Sequence, residues 1–192
     1  MNIENFDASV LKMAREHLDQ FIDRSTKEMN NSGRMLEIGP EGRTYIQECY
    51  SNWDIDSFDI VAENNPTYVG DITVRNDDIE SHSYDAVACL EVLEHTLNPF
   101  GAIEELKRIL KPEGILLISA PLNFRIHGPI PDCWRFTEFG WKVLLKDFEI
   151  LEFDILETPG RDLFPIKYNI RAKHILGRNT PLHELTFQKI QN

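Results

Sequence analysis

The chain is short of cysteine, of basic residues and of long apolar runs, and each shortage closes a class of function. Cys49, Cys89 and Cys133 are the only cysteines among 192 residues. They are odd in number and show neither CxxC spacing nor Cys/His ligand spacing, so neither a disulfide framework nor a zinc site is indicated. Cys89 falls in an apolar run and reads as a small core residue. No stretch reaches the 18 apolar residues of a membrane-spanning helix. The first residues lack a basic segment followed by an apolar one, so the expectation is a cytoplasmic protein without a signal peptide or membrane contact. Basic residues number 20 against 32 acidic ones, a net charge of −12. A surface that negative repels phosphate backbones, which argues against a nucleic-acid partner. Arg161, Lys167, Arg171, Lys173 and Arg178 concentrate the opposite sign near the C-terminus. They read first as a solvated face and second as a patch for a phosphorylated ligand.

What remains is an ordinary globular composition, 42% hydrophobic and 27% charged, and an alternation of strand and helix patterns. There are no repeats, low-complexity tracts or linkers, so one domain over 1–192 is expected. Residues 6–29 carry an amphipathic helix, with Phe6, Val10, Met13, Ala14, His17, Leu18, Phe21 and Ile22 on one stripe. Asn30 to Gly33 end it with residues that tolerate left-handed backbone. Strands are expected at 34–38, 56–61, 68–72, 84–90 and 115–119, with Lys111 to Gly114 stopping the helix before the last of these. Helices are expected at 44–50, from Asn98-Pro99 with a stripe of Phe100, Ile103, Leu106, Ile109 and Leu110, and at 137–145. A late strand covers 148–156, and a final antiparallel strand is expected near 165–175. Such alternation means a doubly wound α/β domain with its ligand at the carboxyl ends of the strands.

The most informative stretch is Leu36-Glu37-Ile38-Gly39-Pro40-Glu41-Gly42-Arg43. A short apolar run ends in an acid and a Gly-containing turn that lets backbone approach a nucleotide-like ligand. Asp59 closes the next strand-like run at the distance where an acid grips ribose hydroxyls. A nicotinamide dehydrogenase would need GxGxxG after the first strand, and only Gly39-x-x-Gly42 is present.

LEIGPEGR, SFDIVAEN, VGDIT, SYDAVACLEVLEH and LKRILKPEGILLISAP occur in the order found in class I S-adenosylmethionine-dependent methyltransferases, and over roughly 34–156 the chain resembles that family. The resemblance implies a mostly parallel seven-stranded sheet with the last strand inserted antiparallel and S-adenosyl-L-methionine as cofactor. By position, Glu37, Gly39, Pro40, Glu41 and Gly42 would meet the methionine moiety and its ammonium. Asp59 and Ile60 would meet the ribose, Asp71 and Ile72 the adenine, and Leu90 and Glu91 the methionine part again. Glu41 stands where the family usually has Gly, which restricts positive φ and close backbone approach. His95, in the EVLEH motif, falls near the site of methyl transfer, where the resemblance implies that Glu94 and His95 more often organise the loop than act on substrate.

The long connection from Pro121 to Thr137 is rich in Pro, aromatic and ionisable residues, as functional loops are. Its HGPIPDCWRFT segment resembles one found in small methyltransferases of surface-polysaccharide and other glycan biosynthesis. That implies transfer to an oxygen of a small acceptor, a sugar or carbohydrate-pathway intermediate. A phosphate-like oxygen, an amine, or a non-catalytic S-adenosylmethionine-binding role are the alternatives. His127 has the intrinsic pKa of a base for the acceptor hydroxyl, Asp132 could orient it or bind a hydroxyl, and Arg125, Trp134 and Arg135 are candidate acceptor contacts. Asp132 could equally pair with Arg135 to seat the next helix. No metal is expected, and the chain is expected to be a monomer or homodimer.

Overall fold

The computed structural model describes residues 3–128 and 130–185. Pro129 of the long connection lies outside the described residues, as does the side chain of Phe6. Helix α1 (Ile3–Glu28) leads into β1 (Arg34–Ile38), α2 (Tyr45–Cys49), β2 (Asp54–Asp59) and the two-residue β3 (Tyr68–Val69). Then follow β4 (Tyr84–Leu90), α3 (Pro99–Ile109), β5 (Leu110–Pro121), α4 (Glu138–Leu144), β6 (Phe148–Glu157) and β7 (Pro165–His174). The seven strands form one sheet in the order β3-β2-β1-β4-β5-β7-β6. Pairing is parallel from β3 through β5, and β7 runs antiparallel to both β5 and β6. The doubly wound fold, the seven strands and the inserted antiparallel strand are as the sequence implied. The order reverses at β1, where β1 pairs with both β2 and β4, and a crevice at the carboxyl ends of the strands is the rule there.

The core lies on both faces of β1, β4 and β5. Leu36, Val87, Cys89, Leu116 and Ile118 face one layer, which α3 and α4 cover with Leu106, Ile109 and Trp141. Met35, Ala86, Ala88 and Leu117 face the other, covered by Leu18, Phe21 and Ile22 of α1 and by Ile46 and Tyr50. Burying a Leu, Ile or Phe side chain contributes about 1.5–3 kcal/mol, so the apolar stripe of α1 fixes that helix against the sheet. Asn98 caps α3 by accepting from the Gly101 amide at 3.1 Å, and Pro99 occupies the first turn. Thr137 caps α4 in the same way through Gly140.

Several boundaries differ from expectation for identifiable reasons. β2 ends at Asp59 rather than Val61 because the Asp59 carboxylate accepts the Val61 amide at 2.9 Å and turns the chain. β3 stops at Val69. β5 starts at Leu110 and runs through Lys111–Gly114 without a break: Glu113 takes φ +65, and Leu110 pairs opposite Tyr84 while Ile115 pairs opposite Ala86. The expected helix stop is therefore a bulge inside a strand. Phe100 is exposed and does not join the α3 stripe; Ala102 is buried there instead. Gly33 is needed for space rather than for left-handed backbone, since a Cβ would lie 2.8 Å from the Trp53 ring.

Of the basic C-terminal cluster, Arg161 and Arg178 are exposed, whereas Lys167, Arg171 and Lys173 do not form a solvated face. Lys167 and Arg171 sit on β7, a strand covered on both sides, and are buried. Lys167 pairs with Glu91 at 2.9 Å, Arg171 with Glu28 and Glu152, and Lys173 with Glu113 and Glu149. A buried charge persists only when paired, so these residues join the sheet to its neighbours.

Candidate active site

A cleft of about 770 Å³ opens at the carboxyl ends of β1 and β4, a volume within the ordinary range for a small-molecule site. Glu37, Gly39, Pro40, Glu41, Gly42, Leu90 and Glu91 line it, as do His95 and His127. One wall is α1, through Leu11, Ala14, Arg15, Leu18, Asp19 and Ile22. That wall is not legible in the sequence, because an amphipathic stripe does not reveal which part of it stops at the sheet and which overhangs a ligand.

The turn after β1 has the backbone a close-approaching ligand requires. Gly39, Glu41 and Gly42 all have positive φ, at +62, +49 and +75. A Cβ on Gly39 would come within 3.0 Å of Val92 Cγ2, so that position needs glycine for conformation and for space. Glu41 adopts the left-handed region despite its side chain, at a cost of roughly 1–2 kcal/mol. That side chain points outward and meets Arg43 at 3.4 Å, so it does not block the cleft.

Glu37 is buried and accepts from Gln47 Nε2. Burial pushes its carboxyl up to about 7, against smaller opposing effects of Gln47 and Arg43. A carboxylate held at such a cost is poised for a cation, and the ammonium of the cofactor's methionine part is one. Glu91, at the tip of β4, has φ +58. Its Oε1 accepts from Lys167 Nζ at 2.9 Å and Ser119 Oγ at 2.7 Å. Burial would raise its carboxyl, but the Lys167 ammonium and the Ser119 hydroxyl prevail and hold it below its ordinary value. Backbone strain concentrated at ligand sites is a common pattern.

Asp59, Ile60, Asp71 and Ile72 do not line this cleft. Asp59 lies at the tip of β2 beside the Gly39 turn, whose amide donates to Phe58 O at 2.8 Å. Its carboxylate accepts from Val61 N and from Asn64 Nδ2 at 2.8 Å. Asp71 accepts from Thr73 N at 2.8 Å. Ile60 is exposed and Ile72 is buried in the core, which corrects the expectation of an adenine edge against Ile72.

A second cleft, about 730 Å³, adjoins the first and shares Phe124 and Ile166 with it. Arg125, Asp132, Trp134, Arg135, Arg161 and Phe164 are among its lining residues. Asp132 does not wait for a substrate hydroxyl. Its Oδ2 accepts from His127 N at 2.9 Å, from His127 Nδ1 at 3.0 Å and from Arg135 at 2.7 Å, and its Oδ1 accepts from Arg135 as well. Hydrogen bonds from Arg135, then from His127, hold its carboxyl well below the usual range. Both readings of Asp132 are thus satisfied together: it pairs with Arg135 and orients His127. Trp134 donates to Thr96 O at 2.8 Å, leaving its ring partly exposed along the second cleft.

The loop carrying His127 is tied to the turn after β4 by the Cys133 and Trp134 amides, which donate to Glu94 O at 2.7 and 3.1 Å. This brings His127 beside His95, with ring centroids 4.9 Å apart, and beside Glu94. The Glu94 side chain is fully buried, and neither carboxylate oxygen has a hydrogen-bond partner. Its Oε1 lies 3.8 Å from His95 Nε2 and 4.0 Å from His127 Nε2. Burial, then the nearby Glu91 charge, raises the Glu94 carboxyl well above its ordinary value. Glu94, Ser119 and Lys167 were not expected at the site; only their partners across the fold reveal them.

A family described as a methyltransferase domain matches residues 11–153, well over half of the chain. The chain belongs to that family. It is a class I S-adenosylmethionine-dependent methyltransferase, and S-adenosyl-L-methionine is its cofactor. Among solved structures it is similar to a S-adenosylmethionine-dependent methyltransferase from Methanosarcina mazei, with a TM-score of 0.62 at 18% identity, over 77% of this chain and 95% of that one. Among curated proteins it is similar to ubiquinone biosynthesis O-methyltransferases. The one from Haemophilus ducreyi is 36% identical over 53 residues, 28% of this chain and 22% of that protein. The one from Vibrio cholerae is 32% identical over 80 residues, 42% of this chain and 30% of that protein. These matches span less than a third of either relative. The residues in the first cleft fit the cofactor: a turn with room only for glycine at Gly39, and a buried acid at Glu37. Among the described residues no helix is long and apolar enough to cross a membrane.

Proposed function

We propose that this methyltransferase places its cofactor in the first cleft and transfers the methyl group to an oxygen of a small acceptor held in the second. The observation that carries this reading is the meeting of the two clefts beside Phe124 and His127. A methyl group must be attacked in line with its bond to sulfur, so donor and acceptor need separate chambers with one opening between them. The cofactor supplies an electrophilic methyl group on a sulfonium. Glu37 and the Gly39 turn hold its methionine part in the cleft, and its nucleoside end extends past the cleft, with the ribose at Asp59 and the adenine at Asp71. His127, held by Asp132, is the catalytic residue that acts on the acceptor oxygen, with His95 beside it.

Oxygen as the accepting atom agrees with the names of the curated relatives. For the acceptor we favour a carbohydrate-pathway intermediate, because HGPIPDCWRFT resembles the corresponding segment of glycan-pathway methyltransferases and Trp134 offers a ring face along the cleft. Arg125, Arg135 and Arg161 favour an acceptor that carries an anionic group, phosphate or carboxylate. Turnover of S-adenosylmethionine against a panel of acidic and neutral sugars and sugar phosphates tests this. Trp134→Ala and Arg161→Ala should each raise the acceptor KM about tenfold while leaving S-adenosylhomocysteine affinity unchanged. Acceptor kinetics indifferent to both substitutions would remove the acceptor from the second cleft.

A further inference from the structure

We propose that Glu94, His95 and His127 form a binding site for one divalent transition-metal cation where the two clefts meet. Their ligand atoms all lie within 4.8 Å of one another. His95 Nδ1 faces Pro131 O at 2.8 Å, and His127 Nδ1 faces Asp132 Oδ2 at 3.0 Å. A carbonyl and an ionised carboxylate only accept, so each Nδ1 carries a hydrogen, and each ring turns its Nε2 toward Glu94. Glu94 adds two unpartnered oxygens in a place with no access to water. A cation seated between them would take one bond from each ring and one from Glu94.

The surroundings have the form of a metal site. A ligating histidine usually donates its other N–H to a carboxylate or backbone carbonyl, which fixes its tautomer and direction. Two imidazoles and one carboxylate suit Zn²⁺ or Fe²⁺ better than Ca²⁺ or Mg²⁺, and Mn²⁺, which takes carboxylate ligands, serves as a spectroscopic probe of the site. Metal–ligand bonds of about 2.0–2.2 Å require the three atoms to draw together, which a small shift of the partly exposed His127 side chain allows with its Asp132 bond kept. Glu91 adds negative potential but is committed to Lys167 and Ser119, so it is not a ligand. Three protein ligands leave positions open toward the first cleft, which His95 and His127 line close to the shared Phe124.

This inference rests on the proposed function and says how His127 serves it. An acceptor hydroxyl beside the ion becomes acidic enough to lose its proton to solvent. The oxygen lone pair then forms the O–C bond as the C–S bond breaks, and the departing electron pair neutralises the sulfonium.

The test is titration of chelator-treated protein with Mn²⁺ alone, read by loss of the free-ion resonance signal, together with anomalous scattering from Mn²⁺-soaked crystals. Wild type should bind one equivalent, with a peak bounded by Glu94, His95 and His127. Glu94→Gln and Asp132→Asn should each weaken binding by at least about tenfold. No binding by wild type, undiminished binding by Glu94→Gln, or a peak elsewhere on the acidic surface would overturn the proposal. If Glu94→Gln fails to fold, the wild-type anomalous map decides alone. Protein that is stabilised by S-adenosylhomocysteine yet binds no Mn²⁺ sinks this inference and leaves the methyltransferase reading intact. Protein that binds the ion here but never produces S-adenosylhomocysteine with any acceptor sinks the functional reading instead.

Discussion

Replacing Glu37 with Gln should stabilise the cofactor-free protein and weaken its grip on the cofactor, with a pH dependence that identifies the cause. Burial moves this carboxyl from 4.5 to about 7, and each unit corresponds to 1.36 kcal/mol, so ionising it in the folded protein costs about 3 kcal/mol. The folded state holds this proton more tightly than the unfolded chain does. The penalty is therefore absent below pH 4.5, grows between 4.5 and 7, and is complete above 7. Gln has the same shape, can accept the Gln47 hydrogen bond, and never ionises. At about pH 8 the variant should melt roughly 6–12 °C above wild type, the shift expected for about 3 kcal/mol in a domain of this size. At about pH 4.5 the two should melt together. Binding reverses the advantage, because the cofactor ammonium loses a charged partner worth roughly 1.5–3 kcal/mol. Thermal melts at both pH values, with and without S-adenosylhomocysteine, report all of this in one series. A Gln variant that melts no higher than wild type at pH 8, or one whose advantage persists at pH 4.5, would refute the reasoning.

His127→Ala should depress turnover by about two to four powers of ten while S-adenosylhomocysteine affinity, measured by calorimetry, stays near wild type; retained turnover would make His127 structural. Asp59→Asn keeps the shape of the β2 tip but loses the charged acceptor, and should weaken cofactor affinity by roughly 1–3 kcal/mol. Unchanged affinity would take Asp59 out of the ribose site. Glu41→Gly relieves a left-handed residue and should raise stability in denaturant melts by about 1 kcal/mol, with cofactor affinity equal or better. A loss of stability would mean that the outward Glu41–Arg43 pair matters more than the backbone.

What could be read from the sequence was what local chemistry dictates. The apolar runs of β4 and β5, the Asn98-Pro99 start of α3 and the acid at the end of β2 are each written in a few consecutive residues. The inserted β7 was legible mainly through family resemblance. Burial of Lys167 and Arg171 was not, because a basic residue on a strand looks the same whether it meets water or an acid across the sheet. The bulge at Glu113 was hidden by a Lys-Pro-Glu-Gly run that suits a turn equally well. His127 and Asp132 stood out by residue type, but their function depends on Glu94 and His95, more than thirty residues earlier. The backbone bonds from Cys133 and Trp134 to Glu94, with the Trp134 indole on Thr96 O and His95 Nδ1 on Pro131 O, bring the two segments together. Sequence spacing does not encode that contact, so a cluster that was expected to be metal-free emerges as a candidate ligand set.

The most direct measurement is a crystal structure with S-adenosylhomocysteine bound. The homocysteine ammonium should lie against Glu37 in the first cleft, the ribose beyond it at Asp59, and the sulfur should face the opening between the clefts beside His127. Homocysteine density outside the first cleft, ribose density away from Asp59, or no ligand density at saturating concentration would rule this placement out.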